Sequence, residues 1–470
     1  MTNQKNVSRR HFIGTAGAVA AGAMFVNPVA AMASGAKTKQ KLVLVGTGSR
    51  GTSFWGKSII KRYSNEVEFV GLCDINPGRV EFARKYMELS CPVFTNFEEM
   101  ILKTKPDTVI VTTVDATHHL FIIKALEMGC NVITEKPMTT DEVKCQAILD
   151  AERKTGKKVI VGFNYRWGIQ FSELKKLQAT QRVGKLTSVD FHWYLNTSHG
   201  ADYFRRWHGE RDKSGTLLLH KATHHFDLLN WWIDSDPVEV TAFGALDHYG
   251  KNNAFRGVNC RNCGYTDQCK FYWNISKDPQ MVNLYTNNEK FDGYIRDNCV
   301  WRNDIDIYDK MAVQIKYANG VQVSYSLTTY SPYEGWTIAF NGMNGRIDSW
   351  EGLPWRRKEQ VDQAELHAKE MSQSGAKEEG FDEIMVSDNF GKTELVKVPR
   401  VRSGHGGGDE RLQDKIFKDP DMADPYKHSA GTRDGAMSVL IGIAARKSIE
   451  ESRPVKIEEL TDLKPSANRG

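Results

Sequence analysis

The segment Gly46–Gly51 (GTGSRG) carries the clearest sign of ligand chemistry in the chain, because it directly follows an apolar run that ends at Val45. Glycines at this spacing allow a tight turn, a close backbone approach to a pyrophosphate, and dense packing of the next helix. The N-terminus of that helix favours an anion. The pattern therefore predicts a dinucleotide site with contacts from Gly46, Gly48, Ser49, Arg50 and Gly51.

Asp74 supplies the second part of this pattern. It ends the next predicted strand, 28 residues after Gly46, which is close to the spacing of a carboxylate that binds the adenosine ribose hydroxyls. The residues beside Asp74 are not basic, and a carboxylate repels the 2′-phosphate of NADP, so the sequence favours NAD. Arg50 and Arg79 could still reach a phosphate, which leaves NADP open.

Further candidates follow the fourth and fifth predicted strands of the N-terminal region. Ligands of doubly wound sheets collect at the carboxyl ends of strands. We therefore expect cofactor contacts from Thr112, Thr113 and His118 after one strand, and from Glu135 and Lys136 of the Glu-Lys-Pro tripeptide after the next.

His220 and His224 are four residues apart in a helix-like run, so their rings share one helix face. A neutral imidazole can accept a hydroxyl proton at neutral pH. An ammonium such as that of Lys136 beside the same oxygen stabilises developing negative charge. These residue types together are suited to removing a hydride from a carbinol carbon.

Aromatic and hydrogen-bonding residues alternate between Trp193 and His208. Such a mixture suits a carbohydrate, whose ring faces stack while its hydroxyls need partners; ordinary strand and loop packing is the alternative. The predicted substrate contacts are Tyr194, His199, Tyr203, Arg206 and Trp207 in this run, Asn164, Tyr165 and Arg166 at the domain junction, and His405 in a glycine-rich loop.

Four of the eight cysteines form a local group, namely Cys260, Cys263, Cys269 and Cys299. Their spacing is compatible with a structural zinc ion, with two disulfides in an oxidising compartment, or with free thiols. None of these alternatives makes the cysteines catalytic.

The elements that must position these residues divide the chain. Regular alternation of strands and helices over 40–163 predicts a Rossmann-type, doubly wound parallel sheet. Longer alternating strands over 164–432 predict an α+β domain with a large, mostly antiparallel open sheet, interrupted by a cysteine-containing insertion at 252–305. A helix is expected at 433–453, and the polar stretch 356–403 is predicted to be a surface excursion. An open sheet face suits a homo-oligomer.

Composition and the N-terminus narrow the class of protein. The 470 residues are 40% hydrophobic and carry a net charge of +5 without a basic block, so nucleic acid is not an expected partner. Residues 1–33 combine Arg9-Arg10, an apolar stretch and a small-residue cleavage site, which indicates a twin-arginine signal peptide. We therefore expect the twin-arginine machinery to export the precursor, and a periplasmic or otherwise exported mature form without a membrane segment.

From Leu42 to about Arg453 the chain resembles the glucose–fructose oxidoreductase and inositol dehydrogenase family (Gfo/Idh/MocA), most strongly in Gly46–Gly51, Asp74, the Glu-Lys-Pro tripeptide and His224. The resemblance implies NAD- or NADP-dependent oxidation of a sugar or polyol hydroxyl. It also implies that Lys136 and His224 are catalytic. The aspartate that this family usually has four residues before the histidine is His220 here.

Three functions follow as hypotheses. The first is an oxidoreductase acting on a sugar or glycoside hydroxyl with a tightly bound cofactor, because free nucleotide should be scarce after export. The second is an NAD-dependent, redox-neutral glycoside hydrolase of the α-N-acetylgalactosaminidase type, or a related enzyme that forms ketosugars from glycosides. The third is a sugar sensor that does not catalyse, against which the presence of both Lys136 and His224 argues.

Overall fold

A computed structural model describes residues 38–356, 376–402 and 404–469. The predicted signal peptide lies outside these residues. Residues 39–470 pack as one unit, so contacts between its two sheets can be described directly.

The first sheet has six parallel strands in the order β3-β2-β1-β4-β5-β6. Its central strands are rich in Val, Leu and Ile and are buried on both faces, because helices cover both sides of the sheet. The strands are Gln40–Val45 (β1), Val67–Cys73 (β2), Val93–Phe94 (β3), Thr108–Val111 (β4), Asn131–Thr134 (β5) and Val159–Val161 (β6). The helices are Ser49–Thr52 (α1), continued by a π-helical turn Ser53–Ser58 into Ile59–Tyr63 (α2), then Pro77–Tyr86 (α3), Phe97–Thr104 (α4), His118–Glu127 (α5) and Glu142–Thr155 (α6).

The second sheet has nine strands in the order β14-β13-β12-β11-β7-β10-β9-β8-β15. Every neighbouring pair is antiparallel except β7 and β10, which are parallel. The strands are Leu186–Asn196 (β7), Pro237–Ala245 (β8), Lys310–Tyr317 (β9), Gln322–Ser331 (β10), Gly335–Gly342 (β11), Gly345–Glu351 (β12), Ala376–Asp388 (β13), Thr393–Arg402 (β14) and Val455–Lys456 (β15).

Helices cover one face of this sheet and fill its long connections. They are Ile169–Ala179 (α7), Thr197–Arg205 (α8), Arg211–Ser214 (α9), Leu217–His220 (α10), Ala222–Ile233 (α11), Pro279–Leu284 (α12), Glu289–Asp292 (α13), Gly408–Gln413 (α14) and Thr432–Glu451 (α15). Helix α15 contacts β8, α6, α10 and α11 and so joins the two sheets. Gly442 permits this packing, because a Cβ atom there would lie 2.5 Å from the carbonyl oxygen of Leu218.

Strands β7, β8 and β10 run in the same direction, so their carboxyl ends meet at one end of the second sheet. Three connections therefore leave from this end: residues 197–236, the insertion with its flanks at 246–309, and the short turn 332–334. This arrangement concentrates side chains from distant parts of the sequence near the first sheet.

The predicted fold class is confirmed: a Rossmann-type parallel sheet is followed by a mixed, mostly antiparallel one. The prediction for the polar stretch 356–403 is wrong in its described part, because β13 and β14 pair with each other and extend the sheet beyond β12. Among the described residues, no helix is long and apolar enough to cross a membrane.

Candidate functional site

A cavity of about 1350 Å³ lies between the carboxyl ends of the first sheet and the converging connections of the second. Most of the predicted site residues line it: Gly46, Gly48, Ser49, Arg50, Asp74, Thr112, Thr113, His118, Glu135, Lys136, Asn164, Tyr165, His199, Tyr203, Arg206, Trp207, His220, His224 and His405. Gly51, Arg166 and Tyr194 do not.

The glycine-rich turn has the shape that a pyrophosphate requires. Gly46 has φ of +89°, and a Cβ atom there would lie 2.6 Å from the backbone of Thr112. A Cβ atom on Gly51 would lie 2.4 Å from the carbonyl oxygen of Gly46, so Gly51 serves close packing behind the cavity. Gly48, in contrast, faces the cavity with no protein atom nearer than 3.4 Å to such a Cβ. The turn therefore fits the phosphates of a dinucleotide.

Asp74 lies at the expected ribose end of this site. Its Oδ2 accepts hydrogen bonds from the backbone N–H of Thr47 (2.7 Å) and from the Thr47 hydroxyl (3.0 Å). Arg79 pairs with Asp74 at 3.2 Å and with Asp292 at 2.5 Å. Two carboxylates thus already neutralise the nearby guanidinium.

The insertion covers the same end of the cavity, which the sequence did not predict. The backbone N–H of Ser49 donates to the Tyr285 hydroxyl at 2.9 Å. The side chain of Asn76 donates to the carbonyl oxygen of Asn288 at 2.9 Å. Together with the pair between Arg79 and Asp292, these bonds tie α12 and α13 to the nucleotide-binding turn and to α3.

Glu135 lies beside Arg50 at the wall of the cavity. Its Oε1 accepts from Arg50 Nε at 2.7 Å and from Trp55 Nε1 at 2.8 Å, while Oε2 accepts from the backbone N–H of Lys136 at 3.1 Å. Glu135 therefore fixes the backbone from which the Lys136 side chain extends.

Lys136 extends across the cavity toward the second domain. Its Nζ donates to the carbonyl oxygen of His220 at 3.0 Å, which brings the two predicted catalytic segments together. Burial lowers the pKa of Lys136 to about 8, despite the opposing effect of Glu135 and Asp115. Its proton is therefore available for exchange near neutral pH.

His220 has a carboxylate partner that the sequence analysis missed. Its Nδ1 lies 2.6 Å from Oδ2 of Asp115, which follows β4 in the other domain. Burial raises the pKa of Asp115 well above its usual value and lowers that of His220 well below. The rings of His208 and His220 meet edge-on, with their centroids 3.9 Å apart. The family's aspartate is absent at position 220, and the acid beside His220 comes from the first domain instead.

His224 is the predicted base, and its surroundings favour the neutral form. Burial, with smaller effects from Lys136 and Lys221, lowers its pKa well below the usual value. The ring stacks on Tyr165 with centroids 4.2 Å apart. Its Nδ1 is buried without a hydrogen-bond partner among the described residues. Such an atom is compatible with a ligand that completes the site.

A second histidine–carboxylate pair lies beside Tyr203, whose ring also packs against that of His220 with centroids 5.4 Å apart. His199 Nδ1 is 3.0 Å from Oε1 of Glu334, and His199 Nε2 is 3.2 Å from the Tyr203 hydroxyl. Glu334 comes from the short turn between β10 and β11. The sequence predicted His199 and Tyr203 but gave no sign of Glu334.

The glycine-rich loop brings His405 to the junction of the two domains. The Asn164 amide lies 2.9 Å from His405 Nδ1, and that nitrogen lies 3.0 Å from Asp409 Oδ1. Asp409 also approaches Arg50 at 3.4 Å. The loop therefore connects the nucleotide side of the cavity to its substrate side.

Two predicted substrate contacts need correction. Arg166 is 1% exposed, and its guanidinium pairs with Asp227 and Asp434 behind the cavity wall. Tyr194 lies on the other face of β7, where it packs against Tyr333. Side chains alternate along a strand, so its neighbour Trp193 faces the cavity instead.

The four grouped cysteines line a separate small cavity beside Phe271 and Trp301. All four are free thiols. Across the described ranges, no three or more His, Cys, Asp or Glu side chains are arranged to hold a metal ion. Structural zinc is therefore not supported, and the cysteines pack with aromatic rings as small apolar side chains do.

Comparisons with known proteins agree with this architecture. The model described as "Oxidoreductase family, NAD-binding Rossmann fold" matches residues 40–163, and the corresponding "C-terminal alpha/beta domain" model matches residues 175–457. "Putative oxidoreductase YteT" of Bacillus subtilis is 34% identical over 446 residues, covering 90% of this chain and 99% of that protein. An inositol 2-dehydrogenase of Salmonella typhimurium is 25% identical over 200 residues, covering 42% of this chain and 56% of that protein.

Solved structures share the fold at low identity. A levoglucosan dehydrogenase in complex with NADH and levoglucosan has a TM-score of 0.61 at 16% identity, with 89% of this chain and 100% of that chain covered. An aldose-aldose oxidoreductase from Caulobacter crescentus has a TM-score of 0.57 at 15% identity, with 89% and 100% covered.

Proposed function

Since the chain belongs to the Gfo/Idh/MocA family of oxidoreductases, we propose that it oxidises a hydroxyl of a sugar or glycoside with a tightly bound nicotinamide nucleotide. The observation that carries the proposal is the continuity of one cavity from the glycine-rich turn to Lys136, His220 and His224. A separate pocket for each set of residues would not support hydride chemistry.

The nucleotide would be held by the turn at Gly46–Gly51 and by Asp74, with its nicotinamide end toward Thr112, Thr113 and Lys136. When bound, it supplies the acceptor for the hydride. NAD fits better than NADP, because Asp74 and Asp292 both lie at the ribose end and repel a 2′-phosphate.

The protein's own residues handle the proton and the charge. His224, kept neutral by its burial, accepts the proton of the substrate hydroxyl. The Lys136 ammonium stabilises negative charge as it develops on that oxygen. His220, positioned by Asp115, lies on the Lys136 side of the site and provides a second proton-accepting group.

A carbohydrate is the substrate class that the cavity wall favours. Trp193, Tyr165 and Trp207 supply aromatic surface to the cavity wall, while His199, Tyr203 and Asn164 offer hydrogen-bonding groups. Two relatives in the comparisons, an inositol 2-dehydrogenase and a levoglucosan dehydrogenase, act on a polyol and an anhydrosugar according to their names.

Retention of the nucleotide is supported by the insertion. Tyr285, Asn288 and Asp292 bond to the turn and to α3, so the adenosine end is covered by a segment that must move before a nucleotide leaves. A retained nucleotide also suits the proposed export through the twin-arginine machinery. Regeneration would then require a second sugar that accepts the hydride from the reduced nucleotide.

Assembly into a homo-oligomer is part of the same proposal. Alternate residues of β9 are exposed on the outer face of the second sheet, which gives a second copy a surface to cover.

The decisive experiment is mass spectrometry of small molecules released from the purified, denatured protein, followed by addition of sugars to the native holoenzyme. We expect NAD at near-stoichiometric amounts and a change in absorbance at 340 nm when sugar is added. Release of a nitrophenyl aglycone without any net change at 340 nm would instead indicate the hydrolase, which the comparisons do not support. Absence of any bound or bindable nucleotide would refute the proposed function.

A further inference from the structure

The carboxylates that face the cavity are largely matched by a basic partner. Each pair is described by the distance between its charged or ring atoms: Asp115 with His220 (2.6 Å), Glu135 with Arg50 (2.7 Å), Glu334 with His199 (3.0 Å), Asp74 and Asp292 with Arg79 (3.2 and 2.5 Å), and Asp382 with Arg400 (2.8 Å). These acids are therefore already partnered within the protein.

Lys221 is a basic side chain of the cavity that takes no part in these pairs. It faces the cavity and is 5% exposed. Its Nζ donates to the Tyr165 hydroxyl at 3.0 Å and lies 5.2 Å from the Trp193 ring centroid and 5.5 Å from that of Tyr165. Within the part of the chain that the structure describes, Lys221 forms no ion pair with a carboxylate.

A buried ammonium without a carboxylate in contact is unfavourable, because desolvation is compensated only in part by a hydroxyl and two ring faces. Glu334 is the carboxylate whose pKa Lys221 lowers, but it is bonded to His199. Lys136 also lacks a carboxylate in contact, although Glu135 and Asp115 act on its charge, and its Nζ bonds to a carbonyl oxygen. Lys136, however, has a role in the proposed function at the reacting oxygen. Lys221 has none, and it retains two N–H groups for a ligand.

We propose that Lys221 binds the carboxylate of an acidic sugar, so that the substrate is a uronic acid or a glycoside of one. This inference rests on the proposed function and names its substrate class. Lys221 lies one residue after His220 and three before His224. One short segment would therefore hold the carboxylate and the reacting hydroxyl of the same molecule.

A single carboxylate matches the site better than a phosphate. One ammonium balances one negative charge, whereas a phosphate dianion calls for a second cation. The other nearby cations are engaged: Arg206 pairs with Asp202 at 3.1 Å, Arg50 pairs with Glu135, and Lys136 bonds to the carbonyl oxygen of His220 and has its place at the reacting oxygen.

The test compares matched substrates on the holoenzyme. Methyl glycosides of glucuronate and galacturonate are measured against those of glucose and galactose, which differ only at C6. Binding is followed by calorimetry and nucleotide reduction by absorbance at 340 nm. We expect the wild type to bind a uronate at least about tenfold more tightly than its neutral counterpart, since a hydrogen bond to a charged group is worth about that factor or more.

Lys221→Met should remove this preference and leave the affinity for the neutral sugar within about twofold. Lys221→Arg keeps the charge and should retain most of the preference, which guards against a folding defect in the first variant. Lys213→Met is the matched control, because Lys213 also lines the cavity but is paired with Glu210 and half exposed. It should retain the preference in full.

Equal affinity of the wild type for acidic and neutral sugars would overturn the carboxylate site, as would a failure to bind either uronate. An equal loss for both sugar types in Lys221→Met, with the arginine variant no better, would also overturn it. Tight uronate binding without any nucleotide reduction would instead refute the proposed oxidation and leave the carboxylate site intact.

Discussion

Two histidine–carboxylate pairs face the same cavity, yet their surroundings drive them toward different charge states. Asp115 and His220 are 2.6 Å apart, and their side chains are only 4% and 11% exposed. Burial raises the pKa of Asp115 and lowers that of His220, so the uncharged forms are favoured. This pair joins the two domains beside Lys136.

Glu334 and His199 are 3.0 Å apart, and both side chains are 17% exposed. Burial acts to raise the pKa of Glu334 as well, but the interactions with His199, together with Lys221 and the backbone N–H of Asn196, outweigh it and leave that pKa below the usual value. A carboxylic acid beside a histidine is therefore favoured in its uncharged form at Asp115 and in its ionised form at Glu334. The environment, more than the residue type, assigns the role.

The largest effect in this comparison is expected at the neutral pair. Asp115→Asn removes the acid that orients His220, and kcat should fall about 100-fold or more while KM changes little, because proton transfer typically contributes ~10²–10⁴-fold. Steady-state kinetics on sugar substrates measure both constants. A variant with unchanged kcat and an intact fold would show that the pair serves only to join the domains.

The next effect is the pH dependence of kcat, which we expect to follow the charge of Lys136. Burial lowers its pKa to about 8, so the ammonium is lost as pH rises through that value. We expect kcat to decline above about pH 8, approaching tenfold per unit. Lys136→Arg should lose this decline, since a guanidinium stays protonated, although its rate will be lower.

Glu334→Gln is the control for that profile, because Glu334 is not among the groups that shift Lys136. Its pH dependence above 8 should match the wild type. A wild-type kcat that stays flat to pH 10 would contradict a role for the charged lysine.

The pair of Glu334 and His199 should affect substrate binding more than the chemical step. Glu334→Gln loses a charge-assisted hydrogen bond to His199, so KM should rise about tenfold with kcat within about threefold. A fall in kcat comparable to that of Asp115→Asn would mean that the two pairs do not differ in role.

The smallest effect is expected at Tyr203, whose hydroxyl lies 3.2 Å from His199 Nε2. Tyr203→Phe removes one neutral hydrogen bond to His199, and kcat/KM should fall by about two- to tenfold. Measuring the double variant with Glu334→Gln tests whether the two residues act together, because coupled residues give less than the product of the single effects. If the effects of the two single variants simply multiply, the two residues act independently.

Sequence reasoning located the residues that follow strand ends and missed those that meet across the fold. The turn at Gly46–Gly51, Asp74 and Lys136 were found, because parallel strands bring their carboxyl ends to one edge. Asp115 also follows β4 and could have been included by that rule. Its partner His220 lies 105 residues further on, and no local pattern links the two.

Other differences have local physical reasons. The period of two along β7 decides that Trp193, and not Tyr194, faces the cavity, and the sequence alone did not fix which face is inward. The described strands β13 and β14 are rich in charged residues, because one face of an edge hairpin is solvated. Cysteine spacing suggested a metal or disulfides, whereas the thiols are packed among rings.

The meeting of three connections at one end of the second sheet has a consequence for altering this enzyme. The strands of that sheet pair through backbone ladders, while the three connections supply His199, His220, His224 and Glu334 to the cavity. Single substitutions at cavity-lining positions of these connections could therefore redirect selectivity, whereas exchange of whole segments would remove the buried helix α11 and the contact of Tyr285 with the nucleotide turn.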